Sequence, residues 1–287
     1  MQTFRFIAGL SALCLLLAAC GDSSKTDEPT PLPTLTPIPS PTPFPTPEPS
    51  PTSEPATDDT PPTAEEYYVA AVSYADSGDD DFAINLFTKA IELDPAFSDA
   101  YNDRGASHLA LEEFSEAEAD FSKAIELVPD DADYYNNRGV ARMSLSDVEM
   151  AIDDFNAAID LDPAMIDAYL NRAMVYVRLQ RFDESLIDLE QILYLDPQYA
   201  EIHNYRASIF MALDRPRDAL YELDRLIGLR LADRDAHVNR AIVLLRLGED
   251  ERAQIDIDIA LELGADQERL QRTLDRVRAE RDASDEQ

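Results

Sequence analysis

A leucine returns every 34 residues, at Leu93, Leu127, Leu161, Leu195, Leu229 and Leu263, and a fixed period of that length restricts a chain to an array of like units. Other columns keep the same phase. Two residues before each leucine stand Ile91, Ile125, Ile159, Leu193, Ile227 and Leu261. A small-residue column runs Ala83, Ala117, Ala151, Ser185, Ala219, Ala253, and four residues later a bulky one runs Phe87, Phe121, Phe155, Leu189, Leu223, Ile257. Prolines close the first four units at Pro95, Pro129, Pro163 and Pro197.

Within one unit, Ala117, Phe121, Ala124 and Leu127 with Val128 are spaced as one face of an amphipathic helix. Tyr101, Gly105, His108 and Leu111 mark a second helix before it, with a turn near Glu112–Phe114. In the first and last units that turn carries Gly78 and Gly248, where glycine accepts a left-handed backbone cheaply. Small residues at Gly105 and Ala117 let the two helices approach closely. Each pair leaves an apolar face that only a neighbouring unit can cover.

The run Ala100-Tyr101-Asn102-Asp103-Arg104-Gly105 through Ala117, Phe121, Ala124 and Pro129 resembles the tetratricopeptide repeat, as does Tyr135-Asn136-Asn137-Arg138-Gly139 through Pro163. The resemblance implies an all-α, right-handed α-solenoid of six helix-turn-helix repeats. Their expected bounds are 64–97, 98–131, 132–165, 166–199, 200–233 and 234–267. The last two units depart from the pattern: Leu231 and Ala265 replace the closing proline, and His203 and His237 the leading tyrosine. A final helix from Gln267 to Arg281 has the narrow apolar stripe Leu270, Leu274, Val277. It suits a cap over residues 268–287 that seals the last repeat; the alternative is a partner-binding helix using its arginines.

The first 63 residues are different. An apolar run from Phe6 to Ala19 follows a single Arg5, as in a secretory leader, and is too short to span a membrane as a helix. Its end, Leu17-Ala18-Ala19-Cys20-Gly21, resembles the lipobox of bacterial lipoproteins. That implies a signal peptide over 1–19, diacylglycerol on Cys20, and an extracytoplasmic body anchored to a bacterial cell membrane by lipid alone. The alternative is an ordinary leader that leaves Cys20 as a stray thiol. Fourteen of the nineteen prolines fall between Pro29 and Pro62, so the segment 20–63 lacks material for a core and favours polyproline II. At about 3.1 Å per residue it makes a spacer on the order of 100 Å long; a Pro-rich ligand for a recognition domain is the other reading.

The formal net charge is −34, and the acids are concentrated in the repeats. Such a surface repels phosphate backbones, so nucleic acid is not an expected partner. The only cysteines are Cys14 and Cys20, so the body has neither disulfides nor thiolate metal ligands. His203 and His237 share a column with Tyr67, Tyr101, Tyr135 and Tyr169, and His108 shares one with Tyr74, Tyr176 and Phe210. These read as packing residues. Acid runs such as Asp79-Asp80-Asp81 sit where helices begin and form no calcium loop. No nucleophile–base arrangement or glycine-rich phosphate loop can be assembled. The expectation is a protein that is not an enzyme, with no cofactor and no metal.

Tetratricopeptide arrays bind proteins or peptides on the face built by the first helix of each pair, and the resemblance places two columns there. One runs Tyr68, Asn102, Asn136, Leu170, Asn204, Val238; the next runs Val72, Ala106, Val140, Met174, Ser208, Ile242. Family members that clamp an acidic C-terminus use Lys and Arg with Asn in these columns, and here neither column holds a Lys or Arg. An acidic column, Glu65, Asp99, Asp133, Asp167, Glu201, Asp235, borders the groove. Its acids also suit the first turn of a helix. The expected ligand is a protein or peptide segment, apolar and Lys/Arg-containing, met chiefly by Tyr68, Asn102, Asn136, Leu170, Met174, Asn204, Val238 and Ile242. The alternatives are a self-associating envelope component (a homo-oligomer) and, behind it, a small-ligand or cation binder. Finally, Arg104, Arg138, Arg172, Arg206 and Arg240 recur with Asp120, Asp154, Asp188, Glu222 and Asp256 sixteen residues on, whereas the first unit has Ala70 and Leu86. Joint absence predicts that each arginine pairs with the acid of its own repeat.

Overall fold

The computed structural model describes residues 61–285; the expected leader, the Cys20 anchor and the proline-rich segment as far as residue 60 lie outside the described residues. The described residues form an all-α helical-repeat array of thirteen helices. Six pairs follow one another: α1 Ala64–Asp76 with α2 Asp80–Leu93, α3 Ser98–Ala110 with α4 Phe114–Leu127, α5 Ala132–Ser144 with α6 Val148–Leu161, α7 Ile166–Arg178 with α8 Phe182–Leu195, α9 Glu201–Ala212 with α10 Pro216–Leu229, and α11 Arg234–Arg246 with α12 Asp250–Glu262. The last helix, α13, is Gln267–Asp285, four residues longer than the apolar stripe predicted. From α1 to α12 each helix packs on its neighbours in sequence, α13 packs back on α11, and the first helices of neighbouring repeats (α1, α3, α5, α7) also touch each other. No pair of second helices touches to that extent among the described residues, so the first helices lie on the inner side of the curve.

The repeated spacing has a packing cause. Phe87, Phe121, Phe155, Leu189 and Leu223 are fully buried against Ala83, Ala117, Ala151, Ser185 and Ala219 of the preceding turn. Opposite Phe121 and Phe155 stand Gly105 and Gly139, where a Cβ would lie 2.9 and 2.6 Å from the ring. Where the bulky residue is Leu189, Leu223 or Ile257, the facing position is Ala173, Ala207 or Ala241. The first repeat departs from this, with Ala71 facing Phe87, so ring size and helix approach vary together only from the second repeat onward.

The turns within pairs are left-handed in all six repeats: Gly78 at φ 81°, Glu112 at 60°, Ser146 at 69°, Gln180 at 58°, Asp214 at 53° and Gly248 at 74°. Only the first and last use glycine. The amide of the next residue donates to the helix's carbonyl five residues back, as Arg181 N does to Tyr176 O at 2.8 Å, which holds the turn against the side-chain strain. Replacing Gln180 by glycine relieves that strain at some cost in unfolded-chain entropy. A net gain of up to about 1 kcal/mol is expected, read as a higher denaturant midpoint, and Gly78→Ala should show the opposite sign.

Both ends of the array are polar. At the position where later repeats bury Ala100, Tyr134, Ala168, Ile202 and Ala236, the first repeat has exposed Glu66; where they bury Ser107, Ala141, Val175, Ile209 and Val243, it has exposed Ser73. Thr63 and Glu66 close α1 with a reciprocal capping box. At the other end Leu270, Leu274 and Val277 of α13 bury themselves against Ala241, Ile242 and Leu245, while Arg281 donates to Leu245 O and pairs with Asp250.

Candidate partner-binding face

Two polar systems recur along the array, one inside each pair after the first and one along the inner face. The first is the arginine column. Arg138 Nε and Nη2 donate to Asp154 Oδ2 and Oδ1 at 3.0 and 2.7 Å, a forked geometry repeated by Arg104–Asp120, Arg172–Asp188 and Arg240–Asp256. Arg206 makes the same pair with Glu222 through Nε at 2.9 Å. The acids are buried and the pairing expected from the sequence is present in all five repeats.

The free arm of each fork does something the sequence reading did not anticipate. Nη1 of Arg104, Arg138, Arg172 and Arg240 reaches back to Thr88, Ser122, Asn156 and Asp224 on the second helix of the preceding repeat, at 2.5–3.3 Å. Each arginine thus joins two repeats as well as two helices. The signal was a polar column at Thr88, Ser122, Asn156 and Asp224. In the last two repeats a histidine shares the acid: His203 Nδ1 lies 2.7 Å from Glu222, and His237 Nδ1 lies 2.7 Å from Asp256. These imidazoles, in the tyrosine column, are buried structural members of the clamp, in line with their reading as packing residues.

The second system occupies the inner face, on the predicted groove column. Asn137 Nδ2 donates to Asn102 Oδ1, Asn171 to Asn136 and Asn239 to Asn204, each at 2.9–3.0 Å and each between residues 35 apart. Tyr68 Oη donates to Asp103 Oδ2 at 2.7 Å, and Asn102 Nδ2 to Asp103 Oδ1 at 3.0 Å. The groove asparagines therefore form a ladder from repeat to repeat, interrupted where Leu170 stands. Burial pushes the Asp103 carboxyl above its ordinary value, against the hydrogen bonds from Tyr68 and Asn102, which pull it down. Burial, with the Asp103 hydrogen bond, raises the Tyr68 phenol.

The remaining groove residues divide by exposure. Tyr68, Asn102, Leu170, Met174, Asn204 and Val238 are half-buried on this face. Asn136 and Ile242 are buried, at 7% and 5% exposure, Asn136 by its contact with Asn171 of the next repeat and Ile242 beneath the capping helix α13. Leu170 and Met174 back onto the core around Ile192 and Ile202. All six edge acids lie in the first turn of their helices. Asp99 accepts from Tyr134 Oη at 2.5 Å, Glu201 pairs with Arg230 and Asp235 with Arg234. Burial raises the Asp133 carboxyl, with Asp131, Asp162 and Asp167 adding repulsion. The face is thus negative, amide-rich and lined with aliphatic side chains.

A layered array of such helix pairs, with this face turned inward, defines a helical-repeat protein. The tetratricopeptide repeat model matches residues 68–132, 102–166 and 206–268, and a second model of the same repeat matches 166–199. The chain belongs to the tetratricopeptide repeat family. Its fold is similar to that of MamA (19% identity, 58% of this chain and 91% of that one, TM-score 0.54). It is likewise similar to YrrB, described as a tetratricopeptide protein with an unusual peptide-binding site (22%, 60% and 89%, 0.52). A third similar fold is a thermophilic tetratricopeptide protein of Thermus thermophilus (22%, 64% and 100%, 0.50). At these identities the likeness concerns the fold. No characterised protein sequence matches the chain.

Proposed function

We propose that the array is a protein-binding scaffold, held outside the cytoplasm by lipid on Cys20, that seats an apolar, Lys/Arg-containing segment along its inner face. The observation that carries this reading is the ladder itself. An asparagine amide has two N–H groups and two lone pairs. Asn102 commits one donor to Asp103 and one acceptor site to Asn137, which fixes its plane and leaves the other half of the amide for a partner's backbone. Preorganised amides cost little ordering on binding. Leu170, Met174 and Val238 supply apolar contact, and the acidic border favours a basic partner over an acidic one. YrrB, of similar fold, is described with a peptide-binding site, which supports the same use of the fold.

Self-association is less well supported, because the exposed Glu66 and Ser73 at one end and the polar outer side of α13 at the other disfavour stacking of copies end to end.

The test is a peptide array probed with the full-length chain in detergent. Lys/Arg-containing apolar segments should bind, more weakly as salt rises. Asn102→Ala and Met174→Glu should each weaken binding about tenfold or more, the magnitude of losing one central contact. Preference for acidic C-terminal peptides, or indifference to both substitutions, places the site elsewhere. The anchor is tested separately: Cys20→Ser should move the protein from the membrane fraction or leave the leader uncut, and an unmodified Cys20 in the mature wild-type chain removes the lipid from the reading.

A further inference from the structure

The outer side of the last three pairs carries an apolar stripe that the fold does not use. Ile187, Tyr221 and Ile255 occupy one position of the repeat on α8, α10 and α12, turned away from the first helices, and are 65%, 63% and 60% exposed. Tyr194, 79% exposed, lies two turns further along α8 on the face of Ile187. Exposed apolar residues scattered singly need no explanation, but here one position of the repeat is large, apolar and exposed in three successive repeats. The first three repeats carry Asn85, Ala119 and Asp153 at that position. The array therefore tolerates small or polar residues there.

A second column changes at the same boundary. Three residues after the stripe, one turn along each helix, the first three repeats have Thr88, Ser122 and Asn156, and the last three have Glu190, Asp224 and Asp258. Thr88, Ser122 and Asn156 already satisfy the arginine of the next repeat, so the clamp does not require acids at this place. The acids are exposed. Asp224 receives Arg240 and Asp258 receives Gln254, each at 2.8 Å, while the exposed Arg217 and Arg225 of α10 and Arg252 of α12 are outnumbered by the acids of the three helices.

We infer that the outer face of α8, α10 and α12 is a second docking surface, for a partner segment in which large apolar residues alternate with Lys or Arg. Charge decides the occupant. A second copy of this chain would bring a formal charge of −34 and the same acidic column against this one, whereas a cationic amphipathic segment places its apolar side chains on Ile187, Tyr221 and Ile255 and its cations on Glu190, Asp224 and Asp258. The face lies opposite the inner groove, so one array can hold two segments at once, and the inference stands whether or not the groove binds.

The experiment transplants the residues of the first three repeats. The full-length chain is titrated with a fluorescent Leu/Lys amphipathic peptide and with a Ser/Lys peptide of equal length and charge. Comparison is with the stripe variant Ile187→Asn, Tyr221→Ala, Ile255→Asp and the acid variant Glu190→Thr, Asp224→Ser, Asp258→Asn. The stripe variant should lose about tenfold or more in affinity for the Leu/Lys peptide, as removal of central aromatic and aliphatic contacts does. Both comparisons are made in an Asn102→Ala, Met174→Glu background that silences the inner groove, where the acid variant should lose most of the salt dependence. Circular dichroism checks that both variants keep the helical array. Equal binding with and without the stripe substitutions, or equal affinity for the Ser/Lys peptide, overturns the inference. So does light scattering that shows the stripe holding a dimer together.

Discussion

Asp188→Ala is expected to cost about 3–5 kcal/mol, enough to unfold the central repeats in mild denaturant, because it strands the Arg172 guanidinium beside a buried void. Asp188 is 2% exposed and takes two hydrogen bonds from Arg172, at 2.9 and 2.6 Å. Burial nevertheless pushes its carboxyl above the ordinary value, against the pull of the arginine. Pairing does not fully offset desolvation at the carboxylate, whereas at Arg172 it does and holds the guanidinium above its ordinary value. The pair as a whole is thus near balance, the condition under which an apolar pair of similar volume does as well as an ionic one. The first repeat contains that apolar solution, with Ala70 and a buried Leu86 at the equivalent positions. The double variant Arg172→Ala, Asp188→Leu should therefore return to within about 1 kcal/mol of wild type, although each single change is severe. Urea titration followed by circular dichroism reads both. Additive losses in the double variant would show the pair to be a net stabiliser. If the double variant is stable but unfolds less cooperatively, the pair's role is to fix register between near-identical units. That outcome would fit the third hydrogen bond, from Arg172 Nη1 to Asn156 of the preceding repeat.

The parts of this architecture that repeat with the period of the sequence were legible in it. The apolar columns at Leu93, Ala83, Phe87 and their successors define the helix pairs, and the matched columns of arginine and acid foretold the clamp, including its absence from the first repeat. What a period of 34 hides is any contact between unlike positions of adjacent repeats. The asparagine ladder joins residues 35 apart, so Asn136 and Asn171 lie in different columns and look independent. For that reason Asn136 reads from the sequence as a free groove amide, whereas it is buried. Leu170 breaks the ladder visibly in the sequence only once the partner column is known. The turns are a different case. Gly78 and Gly248 announced the left-handed backbone, but Glu112, Ser146, Gln180 and Asp214 adopt it without glycine, because the helices on either side dictate the turn whatever the residue. The acids expected at the groove border lie in the first turns of their helices, and Asp99, held by Tyr134 from the next repeat, shows an inter-repeat role that the sequence did not reveal.

Gly139→Ala is the smallest possible substitution in the core and is expected to be among the more damaging, at about 1–3 kcal/mol. The added Cβ would stand 2.6 Å from Phe155 Cε1 and 2.9 Å from Cδ1, inside any tolerable contact. Phe155 is fully buried and packed in one cluster with Phe121, Val140, Ala141, Ala151 and Val175, so the ring has no vacant place to turn into. The remedy is written elsewhere in the chain, where Ala173, Ala207 and Ala241 face Leu189, Leu223 and Ile257; only the first repeat, which lacks the arginine clamp, holds an alanine, Ala71, against a phenylalanine, Phe87. Gly139→Ala combined with Phe155→Leu should recover most of the loss, whereas Phe155→Leu alone, facing glycine, opens a cavity and should cost about 1–2 kcal/mol. The two single losses would then sum to more than the loss of the double variant, a coupling of the sign and size expected for residues in direct contact. Strict additivity in urea denaturation would mean that the helix pair separates freely to admit a methyl group, and that the glycine is present for a reason other than close approach. The same cycle at Gly105 and Phe121, where the gap is 2.9 Å, should show the same sign with a smaller magnitude.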